Sequence, residues 1–166
     1  MLSNQEVAEE LLGKFGDQVF DFEEPYGLLT LSTTREEIIP MLEFLNQHKT
    51  YQITFLTDIT GVHYPDNKEK EFAVVYHLHS FIHNFRIRIK VFISEADIHI
   101  PTATGLYASA NWMERETYDF YGILFDGHPN LVRILNIEEM DYFPMRKEYA
   151  LEDATREDKI DALFGR

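Results

Sequence analysis

The sequence predicts an α+β domain in which a mixed or antiparallel sheet is flanked by helices and followed by an extended, irregular C-terminal arm. Three observations lead to it. From Phe85 to Ile93 the apolar residues Phe85, Ile87, Ile89 and Val91 alternate with Arg86, Arg88 and Lys90, the period-two pattern of a half-buried strand. Stretches with helical apolar spacing are interleaved with such strands, and the best strand pair, Glu71 to Ile93, is a hairpin, which disfavours a purely parallel sheet. From Phe125 to Tyr149, finally, no period is sustained, and Gly127, Pro129 and Pro144 interrupt the chain. Such a run inside a compact domain usually serves function or a partner.

In order along the chain, Asn4 to Phe15 is expected to be a short amphipathic helix with Val7, Leu11 and Phe15 on one face. Asp17 to Phe22 and Tyr26 to Ser32 read as two short strands joined by the turn Glu24-Pro25-Tyr26-Gly27. Thr33 and Thr34 are candidate N-caps of a second helix, with Glu36 and Glu37 at capping-box spacing and Ile38, Met41, Leu42 and Leu45 as its apolar face. A long strand is expected from Tyr51 to Gly61, broken by Tyr64-Pro65-Asp66-Asn67. The hairpin follows, with Phe72 to His79 as its first arm and His83-Asn84 near the turn. Thr104 to Tyr121 reads as the third and longest helix, and Gly122 is placed to stop it. The resulting division is an α+β domain over 1–122 and an arm with a tail over 123–166. In the tail, Asp153 to Arg166 carries Ile160, Leu163 and Phe164 at helical spacing, as a mobile end or a docking helix.

Composition excludes several classes of function. Cysteine is absent, so there is no disulfide framework, thiolate cluster ligand or cysteine nucleophile. A net charge of −14 repels nucleic-acid phosphate and anionic lipid, so neither is an expected partner. No apolar run approaches the ~20 residues that span a bilayer, and the acidic start resembles neither a signal nor a transit peptide. The expectation is a cytosolic protein that meets a membrane only through partners. Phosphate-binding glycine loops and a Gly-x-Ser-x-Gly elbow are also missing, leaving no motif for NADH, flavin, nucleotide or cluster.

Three groups of residues remain as candidate chemistry. His77 and His79 share one strand face and His83 lies close by, the arrangement a metal would need, although alternating polar positions of a strand account for them equally. Glu114, Arg115, Glu116 and Asp119 lie on the third helix; Glu116 shares a side with Asp119, as does Arg115, which describes a salt-bridged helix face. In the arm, Gly127-His128-Pro129 sets a turn, and Arg133, Arg146 and Lys147 add positive charge to an acidic chain. A strip of arginine, aromatics and fixed prolines suits docking onto a large neighbour.

The run Ala110-Asn111-Trp112-Met113-Glu114-Arg115-Glu116-Thr117-Tyr118-Asp119-Phe120-Tyr121-Gly122-Ile123, followed by Phe125-Asp126-Gly127-His128-Pro129-Asn130-Leu131-Val132-Arg133-Ile134-Leu135, closely resembles the signature of the 30 kDa subunit family of respiratory complex I. Phe55 to Thr60, Val75 to Leu78, Arg86 to Lys90 and Pro144 to Tyr149 are similar to the family as well. The chain departs from the pattern at His63, Val132 and Met145 and over Glu138 to Phe143. The resemblance implies a subunit of NADH-quinone oxidoreductase, a cofactor-free structural piece of the peripheral arm of this proton-pumping enzyme of the respiratory chain. It implies no catalytic, cofactor or metal site in this chain, with FMN and iron–sulfur clusters held by partner subunits. The partners implied are the large subunit that forms the quinone site and neighbouring cluster-carrying subunits, on the cytoplasmic side of a bacterial inner membrane. A membrane-bound hydrogenase or a ferredoxin- or F420H2-linked complex would use an equivalent subunit, and a stand-alone metal enzyme built on the histidines is the reading from another class. The residues carried by the signature as docking or structural positions are Trp112, Glu114, Arg115, Glu116, Asp119, Gly122, Gly127, His128, Pro129, Arg133, Arg146 and Lys147. The acidic helix residues are expected to pair with Arg133, Arg146 or Lys147, because buried charge must be paired.

Overall fold

Residues 2–149 are described in a computed structural model. Ser3 starts the first helix, α1 (Asn4–Phe15), with a reciprocal capping box: the Ser3 hydroxyl accepts from the Glu6 N–H and the Glu6 carboxylate accepts from the Ser3 N–H. Its buried stripe is Val7 and Leu11. A single 3₁₀ turn leads into β1 (Val19–Glu23), and a second, at Pro25–Gly27, into β2 (Leu29–Thr33). Helix α2 (Ile38–Gln47) buries Ile38, Met41, Leu42 and Leu45. The long strands β3 (Phe55–His63), β4 (Phe72–Ser80) and β5 (Phe85–Ile93) come next, then the short β6 (His99–Pro101), α3 (Ala110–Tyr121) and β7 (Leu124–Asp126).

The main sheet has the order β1-β2-β5-β4-β3. It is mixed: β3, β4 and β5 form an antiparallel meander, β1 pairs antiparallel with β2, and β2 lies parallel to β5. Alternation sends one side of every strand inward. Leu29, Leu31, Leu56, Ile59, Phe72, Val74, Tyr76, Leu78, Ile87, Ile89 and Val91 are all buried and form one cluster with the apolar stripes of α1 and α2 and with Ala110 of α3. Each such aliphatic side chain removed from water contributes roughly 1.5–3 kcal/mol. Both edge strands are interrupted, β1 between Phe20 and Glu23 and β3 between Leu56 and Asp58, which discourages pairing with another chain. β6 and β7 form a separate parallel pair that brackets α3.

Several expected elements are corrected. Thr33 and Thr34 do not cap α2; Thr33 ends β2, and their hydroxyls donate to the Gln18 carbonyl (2.8 Å) and the Gln18 side-chain oxygen (3.3 Å), tying β2 to the start of β1. Glu37 occupies the cap position without a side-chain bond. The third strand begins at Phe55 rather than Tyr51 and runs on to His63, because residues 50–54 turn back toward α2, the Ile53 N–H reaching the Leu45 carbonyl. The third helix begins at Ala110, since Thr104 to Ser109 are successive turns, and its 12 residues equal those of α1. Leu124–Asp126 is a strand with Phe125 buried, so the extended run starts at Gly127 rather than at residue 123. The expected docking helix or tail over 153–166 lies outside the described residues.

Candidate functional site

Helix α3 has two working faces. Ala110, Glu114 and Thr117 point into the sheet side, where the Thr117 hydroxyl reaches the Ile59 carbonyl of β3 at 3.3 Å. Close approach of helix and strand is permitted by Gly61: a Cβ there would stand 2.5 Å from the Tyr121 ring. Arg115 and Asp119, four residues apart, share the face that meets the arm.

On that face, charged side chains read the backbone of the arm. Arg115 donates to the carbonyls of Val132 (Nε, 3.1 Å) and Arg133 (Nη2, 2.9 Å). Asp119 accepts from the backbone N–H groups of Ile134, Leu135 and Asn136 at 2.8–3.1 Å and from the Asn136 side-chain amide. Arg133 completes the set, its Nη1 lying 2.7 Å from Asp119 Oδ1 with both side chains almost wholly buried. Burial alone would raise the Asp119 pKa. The Asn136 N–H, the Arg133 guanidinium and the other donors outweigh it and hold the carboxyl well below the usual range.

The arm also caps the helix. The last carbonyls of an α-helix lack intrahelical partners and carry the negative end of its dipole. Here Arg133 Nη1 donates to the Asp119 carbonyl, the Met145 N–H to that of Phe120, and Arg146 Nε to that of Tyr121. Gly122, left-handed at φ 77°, ends the helix as expected and turns its N–H back to Tyr118. The Arg146 guanidinium is sandwiched between the rings of Phe72 and Phe143, at 4.9 and 5.0 Å. At the other end of α3, His128 joins Nε2 to the Asn111 carbonyl at 3.1 Å while its Nδ1 accepts the Asn130 N–H, and Gly127 takes φ 82° at the preceding position. Pro129 is exposed.

Of the expected pairings, only Asp119–Arg133 forms among the described residues. Glu114 has no cationic partner there: it accepts from the Ala103 N–H (2.7 Å) and the Thr102 hydroxyl (2.5 Å), holding the turn between β6 and α3. Burial, only partly offset by those two bonds, pushes its carboxyl up to about 7. Glu116 is exposed and takes no part in the network. Arg146 meets Glu95 (2.9 Å) and Glu148 instead of an α3 carboxylate. Lys147 contributes its backbone N–H, which donates to Nδ1 of the buried His63 at 2.8 Å, while His63 Nε2 faces Glu71. These differences share a cause. The arm crosses the end of α3 and the neighbouring strands, so its cations reach backbone carbonyls and loop carboxylates before they reach the helix face.

Thr102, Asn136 and Glu95 complete the network without a signal in the sequence, since they lie outside its charged helix and motif runs, and Phe143 falls at the end of a stretch that departs from the family pattern. His63 is likewise marked in the sequence as a departure from that pattern. His77 accepts from Arg88 Nε (2.8 Å), His79 meets Asn84, and His83 Nε2 donates to the Thr50 carbonyl. Among the described residues no three histidine or carboxylate groups stand where they could hold a metal ion. No helix among them is long and apolar enough to cross a membrane.

Beside its exposed charges, the face of the latched arm and α3 leaves several large apolar side chains in solvent. Leu135 is 64% exposed, Ile137 66% and Trp112 61%, with Val132, Met145 and Tyr149 also open. Trp112 lies under the Arg115 guanidinium at 5.2 Å, a semi-rigid platform.

Residues 31–155 match the family described as "Respiratory-chain NADH dehydrogenase, 30 Kd subunit". The chain is 41% identical to the corresponding NADH-quinone oxidoreductase subunit of Citrifermentans bemidjiense over 157 residues, 95% of this chain and 96% of that one. It is 43% identical to the same subunit of a Nocardioides species over 125 residues, which span 75% of this chain and half the relative's length. Among solved structures, a trypsin-resistant fragment of Nqo5 superposes with a TM-score of 0.65 at 35% identity, covering 76% of this chain and 98% of the fragment. A chain of the membrane-bound sulfane sulfur reductase, an archaeal respiratory membrane complex, shares the fold at a TM-score of 0.73 and 22% identity, over 89% of this chain and 85% of that one.

Proposed function

The chain belongs to the 30 kDa subunit family of respiratory-chain NADH dehydrogenase, complex I, and from that premise we propose that it is a non-redox structural subunit of the enzyme's peripheral arm. In this reading electrons pass from NADH through FMN and iron–sulfur clusters in other subunits to quinone, and this chain holds those subunits in place. It docks chiefly on the large quinone-site subunit and on cluster-carrying neighbours. Its place is the cytoplasmic side of a bacterial inner membrane, reached through those partners.

One observation carries the reading. The segment 127–149 has almost no regular structure, yet it is fixed to α3 by charged groups that read its backbone, while Leu135, Ile137, Met145 and Tyr149 face outward. An arm that buried those side chains on its own domain would be a finished surface; this one is a rigid strip still waiting for its apolar contacts.

The test is purification of a tagged copy from native membranes, with NADH:quinone activity assayed on the eluate. Recovery of flavin, iron–sulfur subunits and activity is the expected result. A partner set without an NADH-binding subunit would favour the second reading, an equivalent position in a membrane-bound respiratory complex of the kind the sulfane sulfur reductase represents, which the shared fold supports. A monomer with no partners would sink both.

A further inference from the structure

Among the described residues the helices cover one side of the sheet and leave the other to its own side chains. On that open side, Phe55, His79 and Arg86 lie in one cross-strand row, and Asp58, His77, Arg88 and Thr30 in the next. Phe81 of the β4–β5 turn adds to the first row, its ring 5.0 Å from Phe55 and 4.8 Å from His79. Phe81 and its neighbour Ile82 are 65% and 67% exposed. These side chains form one apolar edge with two guanidinium groups behind it.

The charge of that edge stands apart from the rest of the protein. Lys90, one row further on, is neutralised by Glu23 at 2.6 Å. Arg88 spends its Nε on His77, and desolvation together with the Arg88 charge lowers the His77 pKa, favouring the neutral ring. Arg86 is exposed. Among the described residues neither arginine has a carboxylate within ion-pair distance, in a chain of net charge −14. Two arginines without an ion-paired carboxylate among the described residues, in a molecule this acidic, are suited to carboxylates from outside.

We propose that this end of the open sheet face, Phe55, Phe81, Ile82, Arg86 and Arg88, is a second docking surface that receives an acidic, apolar segment of another subunit. It lies on a side of the molecule that the arm and α3 do not occupy, and so goes beyond the function proposed above. Arginine binds carboxylate in a planar, bidentate manner, and exposed aromatics beside it supply the contact area of an interface centre. The overall negative charge repels nucleic acid and anionic lipid, while a protein segment with only local acidity can still approach.

The experiment replaces Phe81→p-benzoylphenylalanine in a tagged full-length chain, assembled in native membranes and irradiated before purification. The expected result is a cross-link to an Asp- or Glu-bearing peptide of a different subunit. Its yield falls about tenfold or more in Arg86→Glu/Arg88→Glu and survives in Arg86→Lys/Arg88→Lys. No cross-link, a cross-link to lipid or to a second copy of this chain, or a yield indifferent to charge reversal would overturn the proposal. Co-purification of the complex in the same eluate separates failure of this surface from failure of the subunit role.

Discussion

Arg133 and Asp119 lie fourteen positions apart in sequence, and their side chains meet at 2.7 Å with 8% and 0% of their surfaces exposed. The same carboxylate gathers three successive backbone N–H groups, and the same guanidinium reaches the carbonyls of Met140 and Tyr142. One pair thus organises the arm from Arg133 to Tyr142.

Asp119→Ala is expected to cost about 3–5 kcal/mol, since it leaves a buried guanidinium uncompensated along with three N–H groups. The urea midpoint should drop, and trypsin should cut within 127–149 at protease levels the parent resists. A loss below about 1 kcal/mol would mean the arm is held mainly by Arg115 and Arg146.

Glu114 sets a pH dependence of the opposite sign to a paired carboxylate. Below its ordinary value of 4.5 it is protonated whether folded or unfolded; between there and about 7 only the unfolded chain releases the proton, so stability falls as pH rises, and above about 7 the effect is complete. Glu114→Gln keeps an acceptor for the Ala103 N–H, turns an amide N–H toward the Thr102 hydroxyl oxygen in place of the carboxylate that accepts from it, and removes this dependence. Relative to the variant, the parent should lose about 3 kcal/mol between about pH 4.5 and about pH 8, read from paired denaturation curves. Parallel curves for the two proteins would refute the assignment.

Gly61→Ala and Gly122→Ala should both destabilise, by about 1–3 kcal/mol each, and only the first should be rescued by trimming its neighbour. At Gly61 the three atoms nearest to an added Cβ are Cδ2, Cε2 and Cγ of Tyr121, so Tyr121→Ala removes them and restores much of the loss. At Gly122 a Cβ meets Phe143 at 2.6 Å, and the backbone is also left-handed, a cost that Phe143→Leu does not remove. Thermal melts of the four single and two double variants distinguish the cases.

Leu135→Ser with Ile137→Ser should leave the isolated chain within about 0.5 kcal/mol of the parent, because both side chains are already in water. Incorporation into the membrane-bound complex, measured by immunoblot of native gels, should fall several-fold. Unchanged incorporation would remove these two side chains from the docking surface.

Much of the architecture is legible in the sequence because period and burial agree. The β4–β5 hairpin, the apolar stripe of α2 and the Gly122 stop follow from spacing alone. The α2 cap is not legible, since the pattern of Thr33, Thr34, Glu36 and Glu37 is local, whereas the hydroxyls are claimed by Gln18, which becomes a neighbour only once β1 and β2 pair. The parallel placement of β2 on β5 leaves no local trace either. In the candidate site, the residue types are readable and the Asp119–Arg133 pair is among the expected ones. Partners such as Thr102, Glu95 and His63 depend on where the arm crosses the domain, which a one-dimensional pattern does not encode.

The position of β2 also governs how the chain reaches its native state. Leu29 pairs with Ile87, far along the chain, so the centre of the sheet cannot close until the β3–β4–β5 meander exists. The meander joins near neighbours in sequence and can zip early, but the parallel pairing must first close a long loop. Residues 29–33, buried along their whole length, are therefore the last strand of the core to find shelter. Leu31→Ala should slow the final refolding phase, whereas truncations in α1 should mainly speed unfolding. A chain that assembles in this order holds a short strand, built for burial on both faces, in the open while it waits, and it has reason to complete its own sheet before its neighbours arrive.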